Sequence, residues 1–286
     1  MLADCHIHII DPARFPLAQS SPYRPTASDI CTRERVRDTF LLNGVTHGVA
    51  VDLSFDFADH AALTDALTWS KGWLKGVAEL GPDVGHGDLV TLNDAGIVGQ
   101  RFDLTSIDLA AWREQAGRRA LAAMSEFGWH GCLQMNAGVS AETLTAAIDL
   151  LSAAKLPILF DHYSQPDVSR GLDQPVFAEM IRCGKEHDTT IVKLSSFFRH
   201  SRTGVPYSDL DPFMDAIREA FGVDRCIYGS DFPFIVHPGP ISVASQLDAV
   251  SRWFKDPSDR RKVLADNPAR LFGFEAAAGL SQSWKA

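Results

Sequence analysis

The chain has 286 residues, 45% of them hydrophobic, with a mean hydropathy of −0.05 and a formal net charge of −9. This length suits one large α/β barrel or two ordinary domains, and the apolar fraction is ample for a core. The acidic balance and the lack of any basic run exclude a nucleic-acid-binding protein, and no apolar run reaches transmembrane length. A small anionic ligand is compatible with this charge, because a local basic pocket can form in an acidic protein.

The cysteines and the N-terminus indicate a cytoplasmic protein. Five cysteines are scattered along the chain without a CxxC pair, which fits reduced thiols better than a disulfide framework or a zinc knuckle. The first motif begins within four residues of Met1, so we expect no signal peptide.

Short apolar, β-branched runs alternate with amphipathic stretches along the whole chain. A strand followed by a helix, repeated eight times, predicts a closed parallel (β/α)₈ TIM barrel of the α/β class. We expect a single domain over residues 1–274 and a C-terminal tail over 275–286. An open doubly wound sheet is the competing architecture, but no GxGxxG follows the first strand. The predicted strands are 4–9, 48–53, 76–80, 97–102, 132–135, 157–160, 190–194 and 226–228. The predicted helices are 33–43, 58–71, 84–93, 109–127, 142–154, 176–187, 212–221 and 243–254.

The first predicted strand carries two histidines separated by one residue. Alternation along a strand places Asp4, His6 and His8 on one face. Two imidazoles and a carboxylate directed at one point can hold a divalent metal or stabilise a developing anion. Two half-buried histidines in an edge strand would show the same spacing, so the rest of the chain has to decide between these interpretations.

Polar side chains also close three later strands. Arg101 ends the fourth strand, His162 follows the sixth, and Asp231 follows the eighth behind a Gly-Ser pair. Because the strands of such a barrel end at the same rim, these side chains are predicted to meet His6 and His8 there. The long loop 10–30 follows the first strand on this face and could form a lid. Further candidates for contact with a substrate are Tyr23, Ser54, Gln134, Arg199 and Arg202, although the last two arginines could equally be solvated.

These motifs together resemble the amidohydrolase superfamily, amidohydrolase-related family 2. Within it, the chain is similar to the branch that contains 2-pyrone-4,6-dicarboxylate lactonase and related sugar lactonases. Residues 11–25 resemble the strand-1 loop of that branch, and residues 99–102 resemble its substrate-contacting arginine segment. The motifs that carry the resemblance are Asp-x-His-x-His at 4–8, Asp-His at 161–162, Lys-Leu-Ser at 193–195, Gly-Ser-Asp-x-Pro at 229–233 and Asp-Asn-Pro-Ala-Arg-Leu-Phe at 266–272.

The resemblance implies a hydrolase that opens a lactone, and the charged groups suggest how. Asp231 is the expected general base, taking a proton from the water that attacks the lactone carbonyl. His6, His8 and His162 are expected to donate hydrogen bonds to the oxyanion that develops. The planar guanidinium of Arg101 suits a substrate carboxylate or ring oxygen.

The sequence leaves the metal question open but favours a site without one. The fifth strand offers no histidine, and Gln134 is a poor zinc ligand. His6, His8 and Asp231 alone would form a three-ligand site, which can hold catalytic zinc. The resemblance implies that these residues work without metal in the lactonase branch. We therefore expect no cofactor, with a single divalent metal such as zinc as the alternative.

Several functions and substrates stay open from the sequence. The alternatives are a zinc-dependent hydrolase or decarboxylase acting on an aromatic acid, a lactone isomerase, and a catalytically silent binding protein. Residues 103–108 lack the basic residues that the dicarboxylate enzymes carry there. Aldonolactones and muconolactone-like compounds are therefore candidates beside a pyrone dicarboxylate. The expected partner is a small anionic lactone, without nucleic acid or membrane, for a monomer or homodimer.

Overall fold

Eight parallel strands form one sheet in which each strand pairs with the next in the sequence. The structure is a computed structural model that describes residues 1–19, 21, 23–53, 60–237, 239–275 and 279–280. The strands confirm the predicted (β/α)₈ barrel. Their bounds are β1 Ala3–Ile7, β2 His47–Val51, β3 Leu74–Ala78, β4 Ile97–Asp103, β5 His130–Gln134, β6 Ile158–Phe160, β7 Thr190–Leu194 and β8 Cys226–Tyr228.

Helices connect successive strands on the outside of the sheet. The predicted helix 109–127 is interrupted at Glu114, where the backbone is extended and ends one helix before the next begins. The α-helices are α1 Arg33–Asn43, α2 Ala61–Ser70, α3 His86–Ala95, α4 Leu109–Arg113, α5 Gln115–Glu126, α6 Ala141–Ala153, α7 Pro175–Glu186, α8 Phe197–His200, α9 Asp211–Phe221, α10 Val243–Trp253, α11 Pro257–Arg261 and α12 Asn267–Phe272, with a π-helical turn at Lys262–Asp266 between the last two.

The sheet closes where β1 meets the segment after β8. Ile7 forms a parallel bridge with Phe232, the His8 N–H donates to Phe232 O at 2.9 Å, and the Asp231 N–H donates to His6 O at 2.9 Å. Gly229 makes this approach possible, because a Cβ at this position would lie 2.6 Å from His6 Cβ. Closure therefore brings Asp231 beside the histidines of β1.

Two apolar layers stabilise the barrel. Small and branched side chains from alternate strand positions, among them Cys5, Val49 and Leu159, pack against each other and against Phe272. The opposite faces of the strands pack against the helices in a larger cluster. This arrangement leaves the C-terminal rim of the barrel for polar groups. All five cysteines are buried free thiols.

The loop after β1 and the C-terminal tail both contact the barrel. Ile10 and Cys31 exchange backbone hydrogen bonds of 2.8 Å in both directions, which closes the loop at its base. None of the described residues of this loop lines the cavity at the barrel rim, and the lid stays a prediction. In the predicted tail, Leu280 is buried and its N–H donates to Thr46 O; residues 276–278 and 281–286 lie outside the described residues. Within the described residues, the helices are too short or too polar to span a bilayer.

Candidate active site

His6 lies within an irregularity near the end of β1, and His8 directly follows the strand. Between Asp4 and Ile7, β1 has one more residue than the paired stretch of β2. This bulge interrupts the alternation of side chains. The prediction that Asp4 shares a face with the histidines is therefore wrong. Its buried carboxylate instead accepts the backbone N–H of Ser230 at 2.8 Å and supports the segment after β8.

Asp231 lies in the middle of the candidate site, and its two oxygens have different partners. Oδ2 accepts hydrogen bonds from Ser196 Oγ at 2.6 Å and from Arg199 Nε at 2.9 Å. Oδ1 lies 3.4 Å from His8 Nε2 and 3.8 Å from His6 Nε2. The predicted convergence of the first and last strands is thus present, and Oδ1 is the oxygen that faces the two histidines.

A buried ion pair supports His6 from the side away from Asp231. Lys193 on β7 and Asp161 after β6 are both fully buried, with Nζ 2.6 Å from Oδ1. The same ammonium donates a hydrogen bond to His6 Nδ1 at 3.1 Å. His6 Nδ1 is 3.4 Å from Asp161 Oδ1, beyond normal hydrogen-bond length. His6 Nε2 is buried without a hydrogen-bond partner among the described residues.

The other two histidines are oriented through their Nδ1 atoms as well. His8 Nδ1 donates to the backbone oxygen of Val51 at 2.8 Å, which directs Nε2 toward Asp231. His162 Nδ1 lies 2.7 Å from Ser195 Oγ, and its ring centre is 4.5 Å from that of His6. The three predicted histidines therefore form one group.

Neighbouring charges keep the acids of the site ionised. Burial alone would raise the pKa of Asp231, but the contact with His8 and the Arg199 guanidinium outweigh burial and hold this pKa well below its ordinary value. Burial likewise opposes ionisation of Asp161, whereas the adjacent Lys193 ammonium holds the pKa of Asp161 well below the usual range. Asp161 raises the pKa of Lys193 in return, against the effect of burial. Both carboxylates are therefore available as anions at neutral pH.

Two histidines of the group are held in the neutral form. Burial, reinforced by the positive charge of Lys193, lowers the pKa of His6 well below its ordinary value. Burial lowers the pKa of His162 to about 4, even though Asp231 and Asp161 act in the opposite direction. A neutral imidazole carries one proton, so the nitrogen that holds it decides whether the ring can donate into the cavity.

A cavity of about 520 Å³ opens above this group. Arg101 and Gln134 line it as predicted. Arg101 Nη1 donates to Asp52 O at 2.6 Å, and both Arg101 Nε and Gln134 Oε1 are buried without a hydrogen-bond partner among the described residues. The cavity is lined by His8, Leu53, Arg101, Asp103, Thr105, Ser106, Gln134, Asn136, His162, Gln165, Arg199, Asp231, Ile235 and Val236.

Two predicted substrate-binding residues do not line this cavity, and a third cannot be placed. Tyr23 is buried in the core cluster, and its hydroxyl interacts with Asp29, because the loop folds back on itself. Arg202 is 65% exposed and pairs with Asp167. The two expectations for Tyr23 and Arg202 are therefore wrong. Ser54 lies outside the described residues.

Sequence reasoning gave no role to the residues that orient the histidines and Asp231. Lys193 and Asp161 belong to motifs named above, and Ser196 directly follows one of them, but the contacts of these residues cross between strands far apart in the chain. The available signal was Lys193 itself. A lysine in the otherwise apolar run of β7 has to be buried, and a buried lysine needs an acidic partner.

The distances within the site are compatible with a metal ion, and the position of the His6 proton bears on whether one could bind. Ligand atoms of His6, His8 and Asp231 lie within 4.8 Å of one another. However, His6 Nδ1 accepts a hydrogen bond from Lys193, so the single proton of neutral His6 lies on Nε2. A nitrogen that carries a proton has no lone pair to offer a metal. In this tautomer, His6 presents N–H rather than a lone pair toward the point that the three ligand atoms share.

Comparisons with known proteins agree with this geometry. A 4-sulfomuconolactone hydrolase from Rhizobium radiobacter is 30% identical over 94% of this chain and 89% of its own length. A 2-pyrone-4,6-dicarboxylate hydrolase from Comamonas testosteroni is 29% identical over the same shares. A crystal structure from Pseudomonas putida, provisionally named a 2-pyrone-4,6-dicarboxylic acid hydrolase, has a TM-score of 0.83 and 28% identity over 96% of this chain and 98% of its own. The sequence profile of the amidohydrolase family matches residues 3–274. The chain therefore belongs to the amidohydrolase family.

Proposed function

We propose that this protein is a carboxylic-ester hydrolase that opens the ring of a small carboxylated lactone. The two relatives named as lactone hydrolases, each similar over 94% of this chain, support ring opening by water. The observation that carries the proposal is the position of Asp231 Oδ1, beside His6 and His8 at the base of a cavity that Arg101 also lines.

In the first step, Asp231 acts as general base. Oδ2 is occupied by Ser196 and Arg199, so Oδ1 takes a proton from water as the water oxygen attacks the carbonyl carbon. His8 Nε2 lies 3.4 Å from Oδ1 and contacts the same water. The low pKa of Asp231 keeps this base ionised over the working pH range.

The attack converts the carbonyl oxygen into an oxyanion. His6, with its proton on Nε2, donates to this oxygen, and His162 lies beside His6 to donate a second hydrogen bond. Collapse of the tetrahedral intermediate breaks the ring C–O bond. The proton held by Asp231 passes to the leaving ring oxygen, so one lactone and one water give one hydroxy acid or its keto tautomer.

Arg101 is the expected anchor for a substrate carboxylate. The cavity is lined by two arginines and two acids, and Arg199 is already paired with Asp231. Arg101 lines the cavity and is held in place through the hydrogen bond from Nη1 to a backbone oxygen, so its guanidinium is positioned to bind an anion. This charge balance favours a lactone that directs one carboxylate at Arg101.

We propose in addition that the enzyme works without a metal ion. The support for this is the hydrogen bond from Lys193, which places a proton on the His6 nitrogen that a metal would need. We further infer a cytoplasmic monomer or homodimer that acts on free small molecules rather than on nucleic acid or membranes. The buried free thiols and the net charge of −9 support this setting.

A panel of lactones tests the proposal directly. The panel contains lactones with one carboxylate, two carboxylates, a carboxylate and a sulfonate, or no charge, each assayed by acid release with and without a chelator. We expect turnover of carboxylated lactones that the chelator leaves unchanged, and one ¹⁸O atom in the new carboxylate when the reaction runs in H₂¹⁸O. Turnover of no lactone would contradict the hydrolase. Product without ¹⁸O would indicate an isomerase, and activity lost to the chelator and restored by zinc would indicate a metal enzyme.

A further inference from the structure

Strand β7 and the residue directly after it contact two active-site histidines. Lys193 and Ser195 are two residues apart and therefore point to the same side of the strand. Lys193 Nζ lies 3.1 Å from His6 Nδ1, and Ser195 Oγ lies 2.7 Å from His162 Nδ1. Neither residue lines the cavity, so neither is placed to touch a substrate. Each of them instead contacts the Nδ1 atom of its histidine ring.

The contact at His6 has only one possible direction. An ammonium group donates hydrogen bonds and cannot accept them, so His6 Nδ1 must be the acceptor. Asp161 holds the ammonium in place from 2.6 Å, whereas its distance to His6 Nδ1 is 3.4 Å. A neutral ring that accepts at Nδ1 carries its proton on Nε2, which faces Asp231 and the attacking water.

We propose that Lys193, held by Asp161, is a positioning residue that fixes the proton of His6 on Nε2, and so makes His6 a hydrogen-bond donor instead of a metal ligand. The donor part of this inference deepens the proposed function and rests on it. The statement about the proton does not, because it concerns the free protein.

Lys193 therefore determines whether His6 acts as a hydrogen-bond donor or as a metal ligand. Without Lys193, the carboxylate of Asp161 is the remaining acceptor beside His6 Nδ1, so the ring proton moves to Nδ1. Nε2 then presents a lone pair toward His8 Nε2 and Asp231 Oδ1, which lie within 4.8 Å of it and of each other. Two imidazole nitrogens and a carboxylate are a sufficient protein ligand set for zinc.

The substitution Lys193→Met tests this inference, because it removes the donor and keeps an unbranched side chain. Ring ¹⁵N chemical shifts of ¹⁵N-histidine-labelled protein report which nitrogen carries the proton. We expect His6 to be protonated on Nε2 in the wild type and on Nδ1 in the variant. Titration with Co²⁺ and Zn²⁺, followed by the Co²⁺ absorption spectrum, is expected to show affinity about 10- to 100-fold higher for the variant than for the wild type.

Two further variants separate the proposed role from a loss of folding or of charge. Lys193→Met combined with Asp161→Asn leaves no isolated buried charge and keeps an amide oxygen that can accept from His6 Nδ1, so it is expected to show a shift of proton and metal affinity in the same direction but of smaller size. Arg199→Met removes a different cation near Asp231 and is expected to leave the His6 proton on Nε2. A wild-type His6 protonated on Nδ1, or equal metal affinity of wild type and both Lys193 variants, would overturn the inference. Failure of the lactone panel would instead contradict the proposed function and leave these results intact.

Discussion

The carboxylate of Asp231 has one oxygen occupied and one available. Ser196 and Arg199 bind Oδ2, while Oδ1 faces His6 and His8. Asp231 also adopts a left-handed backbone conformation, with φ 65°, as do His162 and Ser196. Such conformations are costly for residues other than glycine and cluster at functional sites, where the surrounding structure holds them. The backbone after these strands therefore adopts costly conformations that direct side chains into the site, and these conformations lower the stability of the fold.

Replacing the proposed base tests this assignment. Asp231→Asn keeps the shape of the side chain and removes its basicity. We expect kcat to fall by about 10²- to 10⁴-fold, with little change in the affinity for a product acid. Ser196→Ala is the matched control, because it removes one hydrogen bond at Oδ2 and keeps the base, so the loss should be much smaller. Steady-state kinetics and calorimetric product binding measure both, and more than a tenth of wild-type kcat in Asp231→Asn would rule out the base.

The lowered pKa values predict an unusual pH profile of catalysis. The pKa of His162 is lowered by burial to about 4, and the pKa of Asp231 lies well below its ordinary value. Both groups therefore stay in their working forms as the pH falls, until it approaches 4. We expect kcat/KM to be constant from about pH 5.5 to 8 and to decline only at lower pH. A decline centred near pH 6.5, the ordinary pKa of histidine, would contradict the lowered pKa of His162.

At the scale of strands, the contact between β8 and β1 controls the position of His6. Gly229 has no room for a side chain, since a Cβ would lie 2.6 Å from His6 Cβ. We expect Gly229→Ala to lower the free energy of unfolding by about 1–3 kcal/mol, because the backbone of one strand has to move. It should also lower kcat. Gly87→Ala, at an open helical position, is the control; it should leave kcat unchanged and should not lower the free energy of unfolding, which can rise by up to about 1 kcal/mol. Unchanged thermal unfolding of Gly229→Ala would contradict this account.

The positions of strands and helices could be predicted from hydrophobic periodicity, and β7 and β8 begin and end where expected. The bulge in β1 could not, because it depends on how β1 pairs with β2 rather than on a local pattern. The same holds for the site. His6, His162 and Asp231 were identified from their strand ends, whereas partners such as Lys193 required knowledge of which strands face each other. Loop residues were the least predictable, as Arg202 illustrates.

At the scale of the whole molecule, buried histidines make stability depend on pH. Burial lowers the pKa of His130 and of His162 to about 4, of His200 to about 3, and of His6 well below its ordinary value. In the unfolded chain each has a pKa near 6.5. The unfolded state therefore binds more protons between these values, and the native state loses stability as the pH falls from about 6.5 toward 4.

This effect is measurable by denaturant unfolding at several pH values. Protonation of His130 alone should lower the free energy of unfolding by about 3 kcal/mol at pH 4. The four histidines together should make the free energy of unfolding fall more steeply with decreasing pH. The variant His130→Phe keeps an aromatic ring against Phe272 and removes one titrating group, so its stability should fall less steeply with pH. A free energy of unfolding that stays constant between pH 7 and 5 would contradict the burial of these neutral rings.

The paired hydrogen bonds between Ile10 and Cys31 affect how the sequence of this protein can vary in evolution. The loop leaves and rejoins the barrel at one point, so its interior can lengthen, shorten or be exchanged without moving β1 or α1. Variation in this loop can therefore accumulate while the catalytic group stays in place. Loop exchange between this protein and its lactone-hydrolase relatives should accordingly leave the barrel and its catalytic group intact.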